Sequence, residues 1–274
     1  MSNTEQVQNT REILTRQGAP AGVRIGYGAL SEQFGELRLP AGVGPFPVIV
    51  AIHGGCWRAM HTLDYMGHIS ADLTESGVAT WNIEYRRLGQ DGGGWPGTYQ
   101  DVGNAIDHLR QLATGFPLDL RRVIVTGHSA GGHLALWAAG RRRLTRESEL
   151  YAADPLQLIG VAPLAAVTDL QAGGTACDDE AQAMYGTVEK LSQTSPPCML
   201  PLGMPVIVIH GEDDLSVPAQ QAISYVEAAE RSGDRPRLCL LSGADHFVIV
   251  DPRSSYWPRV KDEIISLLPA ADRQ

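Results

Sequence analysis

The chain has 274 residues, of which 43% are hydrophobic and 19% are charged. This length and balance suit one large buried core, so we expect a single domain over residues 1–274. The formal net charge is −9, and the basic residues are dispersed apart from Arg141–Arg143. The sequence therefore offers no basic surface for nucleic acid, and we expect a small-molecule substrate.

Residues 1–17 are polar, and no run of about 18 apolar residues occurs anywhere in the chain. This pattern predicts neither export nor membrane insertion, and we expect a cytoplasmic protein without a membrane partner. The cysteines Cys56, Cys177, Cys198 and Cys239 lack the short paired spacing of a zinc site or a disulfide framework. We expect free thiols, and a bond between Cys177 and Cys198 across a loop is the less favoured alternative.

The remaining pattern alternates between short apolar runs, which predict strands, and segments with helical periodicity. In chain order we expect an N-terminal helix or arm over 1–20, strands at 23–27, 35–39 and 48–52, a helix at 62–76, a strand at 78–85, a helix after the glycine-rich loop 88–97, a strand at 122–126, a helix at 133–139, a strand at 158–166, a short helix at 179–185, a strand at 205–209, a helix at 219–231, a strand at 238–241 and a helix at 260–268.

This order predicts a doubly wound α/β fold with a buried parallel sheet and right-handed crossovers. The strand at 158–166 should end near Pro163, because proline cannot donate to a central ladder. The long irregular piece at 167–204 is predicted to be functional, as a lid or substrate loop, because such connections are uncommon in compact domains.

One strand, at residues 123–126, runs directly into G-H-S-A-G at residues 127–131 and then into a helical segment. A serine at such a sharp turn must adopt a strained backbone, and the flanking glycines remove side chains that would clash there. The turn exposes the Ser129 hydroxyl and places it at a helix N-terminus, where developing negative charge is favoured. The glycine spacing does not match a nucleotide-binding loop.

Two later loops follow the carboxyl ends of predicted strands, at the edge where open α/β sheets hold ligands. They read H-G-E-D-D-L-S-V-P at residues 210–218 and S-G-A-D-H-F at residues 242–247. A serine hydroxyl needs a base to remove its proton, and that base needs a third group to orient it. These loops supply candidates for both.

Four segments carry a resemblance to a known family: these two loops, G-H-S-A-G at residues 127–131 and H-G-G-C-W at residues 53–57. From about residue 48 to residue 247, the chain resembles α/β-hydrolases of the esterase and kynurenine-formamidase-like group. The resemblance implies an α/β-hydrolase fold with a mostly parallel eight-stranded sheet and no large cap domain. The chain order of the family's triad implies Ser129 as nucleophile, Asp214 as acid and His246 as base. The family pattern H-G-x-x-D-x-x-V-P selects Asp214 over Asp213.

The other histidines are interpreted as structural or surface residues. His53 and His210 are expected to be held by local loop hydrogen bonds. His128 is the variable residue of the G-H-S-A-G turn at residues 127–131, which we call the elbow, and His133 on the following helix is expected to pack. The remaining histidines are expected at the surface: His61, His68 and His108. No histidine spacing typical of a metal centre occurs, so we expect neither a metal nor an organic cofactor.

The resemblance also places an oxyanion hole at the backbone N–H groups of Gly55, Cys56 and Ala130. Cys56 stands where many lipases and esterases have the third glycine of H-G-G-G. Trp57, Phe247 and Tyr185 are candidate walls of the acyl pocket, with core packing as the alternative for each.

We therefore predict a serine hydrolase that cleaves carboxylic esters of small to medium acyl groups through an acyl-enzyme. The alternative is hydrolysis of an N-formyl arylamide, as in kynurenine formamidases. A third hypothesis is a binding protein on a hydrolase scaffold that has lost catalysis. The absence of an inserted cap predicts a fairly open site, and the sequence neither requires nor excludes a homo-oligomer.

Overall fold

An eight-stranded sheet forms the centre of the protein in a computed structural model that describes residues 12–16, 19 and 22–269. Its strands are β1 (Val23–Gly26), β2 (Phe34–Arg38), β3 (Phe46–Ile52), β4 (Ala79–Ile83), β5 (Leu118–His128), β6 (Gly160–Leu164), β7 (Ile207–Gly211) and β8 (Arg237–Leu241). They lie in the order β1-β2-β4-β3-β5-β6-β7-β8. β2 pairs antiparallel with β1 and β4, and all other pairings are parallel, as the sequence predicts.

Helices pack on both faces of this sheet. They are α1 (Met66–Glu75), α2 (Gly97–Asp107), α3 (Leu109–Leu112), α4 (Ala130–Gly140), α5 (Asp178–Tyr185), α6 (Leu191–Thr194), α7 (Gln220–Arg231) and α8 (Trp257–Ile265). Successive residues of a strand point to opposite faces, and in β5 Val125 joins a core cluster with α2, α4 and α7. Its neighbour Ile124 joins a second cluster with α1 and α8. The central strands are apolar because both of their faces are covered.

Helix α4, which follows β5, is the most enclosed helix of the fold. Every one of its residues is buried, including Leu134 and Trp137. A helix without a polar face needs apolar partners all round, and α4 packs against β5, β6, β3 and α2. The residue at its N-terminus is thereby fixed relative to the whole sheet.

The end of β6 is set by Pro163, as predicted. Pro163 is paired with Gly127 of β5, and the strand ends one residue later. Toward β7, however, pairing is confined to Leu164 with Ile209 and an isolated bridge between Val161 and Val206. Pro163 lies between these two contacts, where its missing N–H interrupts the ladder.

Part of the predicted N-terminal arm packs on the body of the protein. Residues 12–15 are helical, Ile13 is buried in the second core cluster, and the Arg16 guanidinium contacts Asp251 at 3.0 Å. The rest of the predicted arm lies outside the described residues, apart from residue 19. No helix in the described ranges has the length and apolar character needed to cross a membrane.

Candidate active site

Ser129 connects the end of β5 to the start of α4. Its backbone has φ 57° and ψ −120°, a strained conformation for a residue with a Cβ, of the kind that functional sites retain. The Ser129 N–H donates to the Leu164 carbonyl at 2.9 Å, and its carbonyl accepts from the N–H of Gly132 at 2.9 Å. Both neighbouring elements thus hold the turn that the G-H-S-A-G motif predicts.

Close backbone contacts explain why glycines surround this turn. A Cβ added at Gly131 would lie 2.2 Å from the Ile52 carbonyl oxygen at the end of β3. A Cβ added at Gly54 would lie 2.4 Å from the His128 carbonyl oxygen and 2.9 Å from the Ser129 Cβ. These distances leave no room for a side chain, so the loop after β3 can lie against the elbow only with glycine at both positions.

Asp214 lies in the loop between β7 and α7, with its side chain buried. Its Oδ1 accepts from the backbone N–H groups of Ser216 and Val217, both at 2.8 Å. Its Oδ2 lies 2.6 Å from His246 Nδ1 and 3.3 Å from His210 Nε2. Burial opposes ionisation, but the electrostatic attraction of His246 and the hydrogen bonds from both histidines outweigh it and hold the pKa of Asp214 well below its usual range.

His246 follows β8 and is oriented through Nδ1. Because the Asp214 carboxylate can only accept, Nδ1 carries the proton of the 2.6 Å hydrogen bond and Nε2 is left as a proton acceptor. The Asp245 carboxylate fixes the same loop by accepting from the N–H groups of Phe247 and Val248, both at 2.9 Å.

Ser129 and His246 line the same cavity, of about 210 Å³. The structure gives Ser129 Oγ no hydrogen bond to any described residue, including His246. Bonds between nucleophile and base are often long before substrate binds and shorten in the reacting complex. The elbow at residues 127–131, the loop of Asp214 after β7 (the acid loop) and the loop of His246 after β8 (the histidine loop) thus meet at one edge of the sheet.

The loop after β3 has three consecutive residues with positive φ, namely Gly55 at 100°, Cys56 at 49° and Trp57 at 56°. It is held by hydrogen bonds from the Arg58 N–H to the Gly55 carbonyl at 3.0 Å and from the Leu88 N–H to the Trp57 carbonyl at 2.7 Å.

The N–H groups predicted to form the oxyanion hole have no protein acceptor among residues 12–16, 19 and 22–269. They belong to Gly55 and Cys56 in this loop and to Ala130 at the start of α4. Gly55 and Cys56 line the cavity together with Ser129, so donors are available beside the serine hydroxyl.

The expectation of free thiols is wrong for two cysteines. Cys56 and Cys177 form a disulfide, with their Cα atoms 5.0 Å apart and a sequence separation of 121, whereas Cys198 and Cys239 are free. The fold brings the segment 167–204 onto the loop after β3, a proximity that cysteine spacing does not reveal. Cys177 and the preceding Ala176 line the cavity, so this segment lies beside Ser129, where a lid or substrate loop is expected.

Of the aromatic side chains predicted to wall the pocket, Phe247 lines the cavity and two others do not. Trp57 has no exposed surface and packs edge-on against His133, with ring centroids 5.4 Å apart. Tyr185 is half-buried against the main core cluster. The prediction is therefore wrong for Trp57 and Tyr185, where the core-packing alternative holds. Trp57 is fully buried on a stretch in which all three residues, 55–57, have positive φ.

The cavity also contains residues that sequence reasoning missed. His61, expected at the surface, lines it and packs against Gly55, where an added Cβ would lie 2.4 Å from the His61 Cβ. Burial, and then the neighbouring charges of His53 and Arg58, lower the pKa of His61. The other missed lining residues are Leu14, Arg58, Tyr65, Ser216 and Val217.

Two histidines predicted to have local partners do have them. His53 Nδ1 lies 2.9 Å from the Gly54 carbonyl oxygen in its own loop, and Nε2 makes a contact distant in the sequence as well, with Glu84 Oε1 at 2.8 Å. His210 Nε2 lies 2.8 Å from the Val217 carbonyl as well as near Asp214. Over the described ranges, no group of three or more His, Cys, Asp or Glu side chains could hold a metal ion.

Comparison with known proteins identifies relatives of this chain. The family model described as BD-FAE matches residues 37–228. The isoprenylcysteine alpha-carbonyl methylesterase of Arabidopsis thaliana is 25% identical over 272 residues, covering 90% of this chain and 62% of the relative. The probable carboxylic ester hydrolase LipM of Mycobacterium tuberculosis is 25% identical over 227 residues, covering 70% of this chain and 47% of the relative. The chain thus spans between 47% and 62% of the length of these two relatives.

Solved structures share the fold over nearly the whole chain. Esterase B from Lactobacillus rhamnosis, solved with a tributyrin phosphonate, has a TM-score of 0.81 at 19% identity and covers 96% of this chain and 90% of its own. A truncated carbohydrate esterase from gut microbiota has a TM-score of 0.77 at 21% identity, with 92% and 98% covered. The predicted α/β-hydrolase fold is confirmed by these matches.

Proposed function

Because this chain belongs to the BD-FAE family, we propose that it is a serine esterase that hydrolyses carboxylic esters of small to medium acyl groups. One observation carries the proposal: Ser129, on a strained strand-to-helix turn, shares a cavity with His246, whose Nδ1 donates to the buried Asp214. A nucleophile, a base and an orienting carboxylate in this relation are the components of acyl transfer.

In the first half-reaction His246 Nε2 takes the proton of Ser129 as Oγ bonds to the ester carbonyl carbon. Asp214 stabilises the imidazolium that results, since its negatively charged carboxylate accepts the hydrogen bond from Nδ1–H. Collapse of the tetrahedral intermediate breaks the bond to the alcohol, and His246 returns the proton to that leaving oxygen. The acyl group is then an ester of Ser129.

In the second half-reaction water takes the place of the alcohol. His246 removes a proton from water as the water oxygen attacks the acyl carbon, and it then protonates Ser129 Oγ as the acid leaves. Each tetrahedral intermediate carries an oxyanion, for which we propose the N–H groups of Gly55, Cys56 and Ala130 as donors. Losing one such donor in a serine hydrolase costs about 3–4 kcal/mol of transition-state stabilisation.

The size of the cavity supports a short acyl group. Its volume of about 210 Å³ lies below the roughly 300–1,000 Å³ of pockets for drug-sized ligands. Val217 and Phe247 supply apolar lining beside Ser129. A solved neighbour with a TM-score of 0.75, esterase Est2 of Thermogutta terrifontis, was obtained with propionate bound, and in a second structure with butyrate bound.

The test compares wild-type protein with Ser129→Ala on p-nitrophenyl acetate, butyrate and decanoate. We expect Ser129→Ala to lose at least about 10³-fold in kcat, and we expect the wild type to prefer acetate or butyrate. Ser242→Ala is the control, because Ser242 is exposed in the loop of His246. A p-nitrophenyl phosphonate should add one phosphonyl mass to Ser129. Full turnover by Ser129→Ala would refute the proposed nucleophile.

The H-G-G-C-W loop keeps hydrolysis of N-formyl arylamides as a second candidate. N-formylkynurenine belongs in the same panel for that reason. A kcat/KM for it above that for every ester would replace the esterase proposal with a formamidase. No enzyme-dependent rate on any acyl substrate would favour the ligand-binding scaffold instead.

A further inference from the structure

A buried chain of hydrogen bonds joins the loop after β3 at residues 53–57, the oxyanion loop, to the loop after β8 at residues 242–247, the histidine loop. It passes through two side chains outside the proposed triad. The Gly54 N–H donates to Tyr65 Oη at 2.6 Å, and Tyr65 Oη lies 3.0 Å from His128 Nδ1. His128 Nε2 lies 2.8 Å from the carbonyl oxygen of His246. Tyr65 is 4% exposed and His128 is 1% exposed, so both side chains are largely shielded from bulk water.

The chemistry of the partners fixes the direction of every proton in this chain. A carbonyl oxygen can only accept a hydrogen bond, so His128 Nε2 must carry a proton and donate a hydrogen bond to the backbone carbonyl of His246. Burial, and then the electrostatic interaction with His246, lower the pKa of His128 well below 6.5, which keeps the ring neutral. Neutral Nδ1 is an acceptor, so the Tyr65 hydroxyl donates to it and accepts from Gly54.

The two ends of the chain lie next to groups that act on the same ester group, one on its carbonyl oxygen and the other on the proton that Ser129 gives up. Gly54 precedes Gly55 and Cys56, the proposed oxyanion donors, and the last acceptor is the backbone of His246, the proposed base. Tyr65 comes from the 3₁₀ turn Leu63–Tyr65 before α1, and His128 ends β5.

We propose that Tyr65 and His128 are positioning residues that set the distance between the oxyanion donors and the base through one directional hydrogen-bond chain. This inference rests on the proposed esterase function. The rings of His128 and His246 also contact each other, with centroids 4.5 Å apart, so a shift of His128 moves the base directly. Catalytic groups need support of this kind because small displacements cost rate.

Tyr65→Phe tests the proposal, because it removes one oxygen and leaves both Gly54 N–H and His128 Nδ1 without their partner. We expect kcat on p-nitrophenyl butyrate to fall by about 10- to 100-fold, because a displacement of catalytic groups by up to about 1 Å costs up to about 10²-fold in rate. KM should change by less than about twofold. Affinity for a trifluoromethyl ketone, whose adduct carries an oxyanion, should fall in parallel with kcat/KM.

Tyr99→Phe is the matched control. Tyr99 is also a fully buried tyrosine whose hydroxyl lies 3.0 Å from a buried histidine, His133. It joins α2 to α4, and among the described residues its hydrogen bond and ring contacts reach His133, Trp95 and Trp137 rather than Gly54–Cys56 or the loop of His246. We expect a comparable loss of stability but kcat within about twofold of wild type.

The outcomes separate this inference from the esterase proposal. If wild type is active, Ser129→Ala is inactive and Tyr65→Phe keeps wild-type kcat, the positioning role is refuted and the esterase stands. Equal kcat losses in Tyr65→Phe and Tyr99→Phe would also refute it, as a general packing effect. A wild type without turnover on any acyl substrate refutes both.

A measurement on the wild-type protein covers the case in which Tyr65→Phe does not fold. Long-range ¹H–¹⁵N NMR at pH 7 should find His128 as the Nε2–H tautomer with Nδ1 unprotonated. An Nδ1–H tautomer or an imidazolium would overturn the proposed direction of the chain, and with it the role of Tyr65.

Discussion

Replacing Asp214 by asparagine is the sharpest test of the proposed acid. The carboxylate faces only donors: the N–H groups of Ser216 and Val217 at Oδ1, and His246 and His210 at Oδ2. An asparagine of the same shape has one acceptor oxygen and one NH₂ group, so its NH₂ must face one of these pairs of donors.

The geometry decides which pair is affected. The two backbone bonds at 2.8 Å define the loop itself, so we expect the asparagine oxygen to keep them and the NH₂ to face His246 Nδ1. That nitrogen must then accept, which moves the ring proton to Nε2. A protonated Nε2 cannot take the proton of Ser129.

The expected magnitude follows from this change of tautomer. The same substitution in a serine-protease triad lowers kcat by about 10⁴-fold, which corresponds to about 5.5 kcal/mol of transition-state stabilisation. We expect Asp214→Asn to lose about 10³- to 10⁴-fold in kcat on p-nitrophenyl butyrate. Its phosphonylation rate at Ser129 should fall by a similar factor, since both reactions need the base.

Asp213→Asn provides the control in the same assay. It changes the charge by the same amount at the adjacent position, but Asp213 is exposed. We expect its kcat to remain within about twofold of wild type. A loss of activity in Asp213→Asn, or an Asp214→Asn variant that keeps more than one tenth of kcat, would refute the assignment of the acid.

Two further predictions concern stability. Lowering the pH from 7 to 5 should reduce the free energy of unfolding by about 2 kcal/mol through His133, because burial lowers its pKa from 6.5 to about 3 and only the unfolded chain takes up this proton in the window. Burial also lowers the pKa of His128, which should change the free energy of unfolding in the same direction. Urea unfolding at both pH values measures the change, and a flat profile would contradict the neutral buried state. Cys177→Ser should cost about 2–5 kcal/mol, since its disulfide closes a loop with a sequence separation of 121. The control Cys198→Ser removes an exposed free thiol and should change stability by less than about 0.5 kcal/mol; equal thermal unfolding of the two variants would show that the disulfide contributes nothing.

Sequence patterns predicted correctly those features that depend on residues close together in the chain. The strand, the strained serine and the helix at 123–139 follow one another directly, so the residue types and their spacing are enough to predict this turn. Asp214 and His246 could be placed near Ser129 because the carboxyl ends of parallel strands share one edge of a sheet. The family resemblance then selected Asp214 from two adjacent carboxylates.

The contacts that escaped prediction join positions far apart in the chain. Cys56 and Cys177 are ordinary thiols until the fold brings them within bonding distance. Tyr65 lies in a helix-like stretch, where a buried tyrosine is most simply explained as core. Only the structure shows that its hydroxyl lies between Gly54 and His128. Trp57 was placed wrongly because an inward turn depends on backbone angles that residue types at 55–57 do not specify.

The segment 167–204 is attached to two of the loops that surround Ser129, and this bears on how the pocket selects its substrate. Cys177 attaches it to the oxyanion loop through the disulfide, and the Ala176 N–H donates to the Ser216 carbonyl in the acid loop at 2.7 Å. A wall tied covalently to one catalytic loop and by hydrogen bond to another cannot open without disturbing the site itself. We therefore expect residues 176–177, which line the cavity together with Phe247, to limit acyl-chain length as a fixed wall rather than as a closing lid.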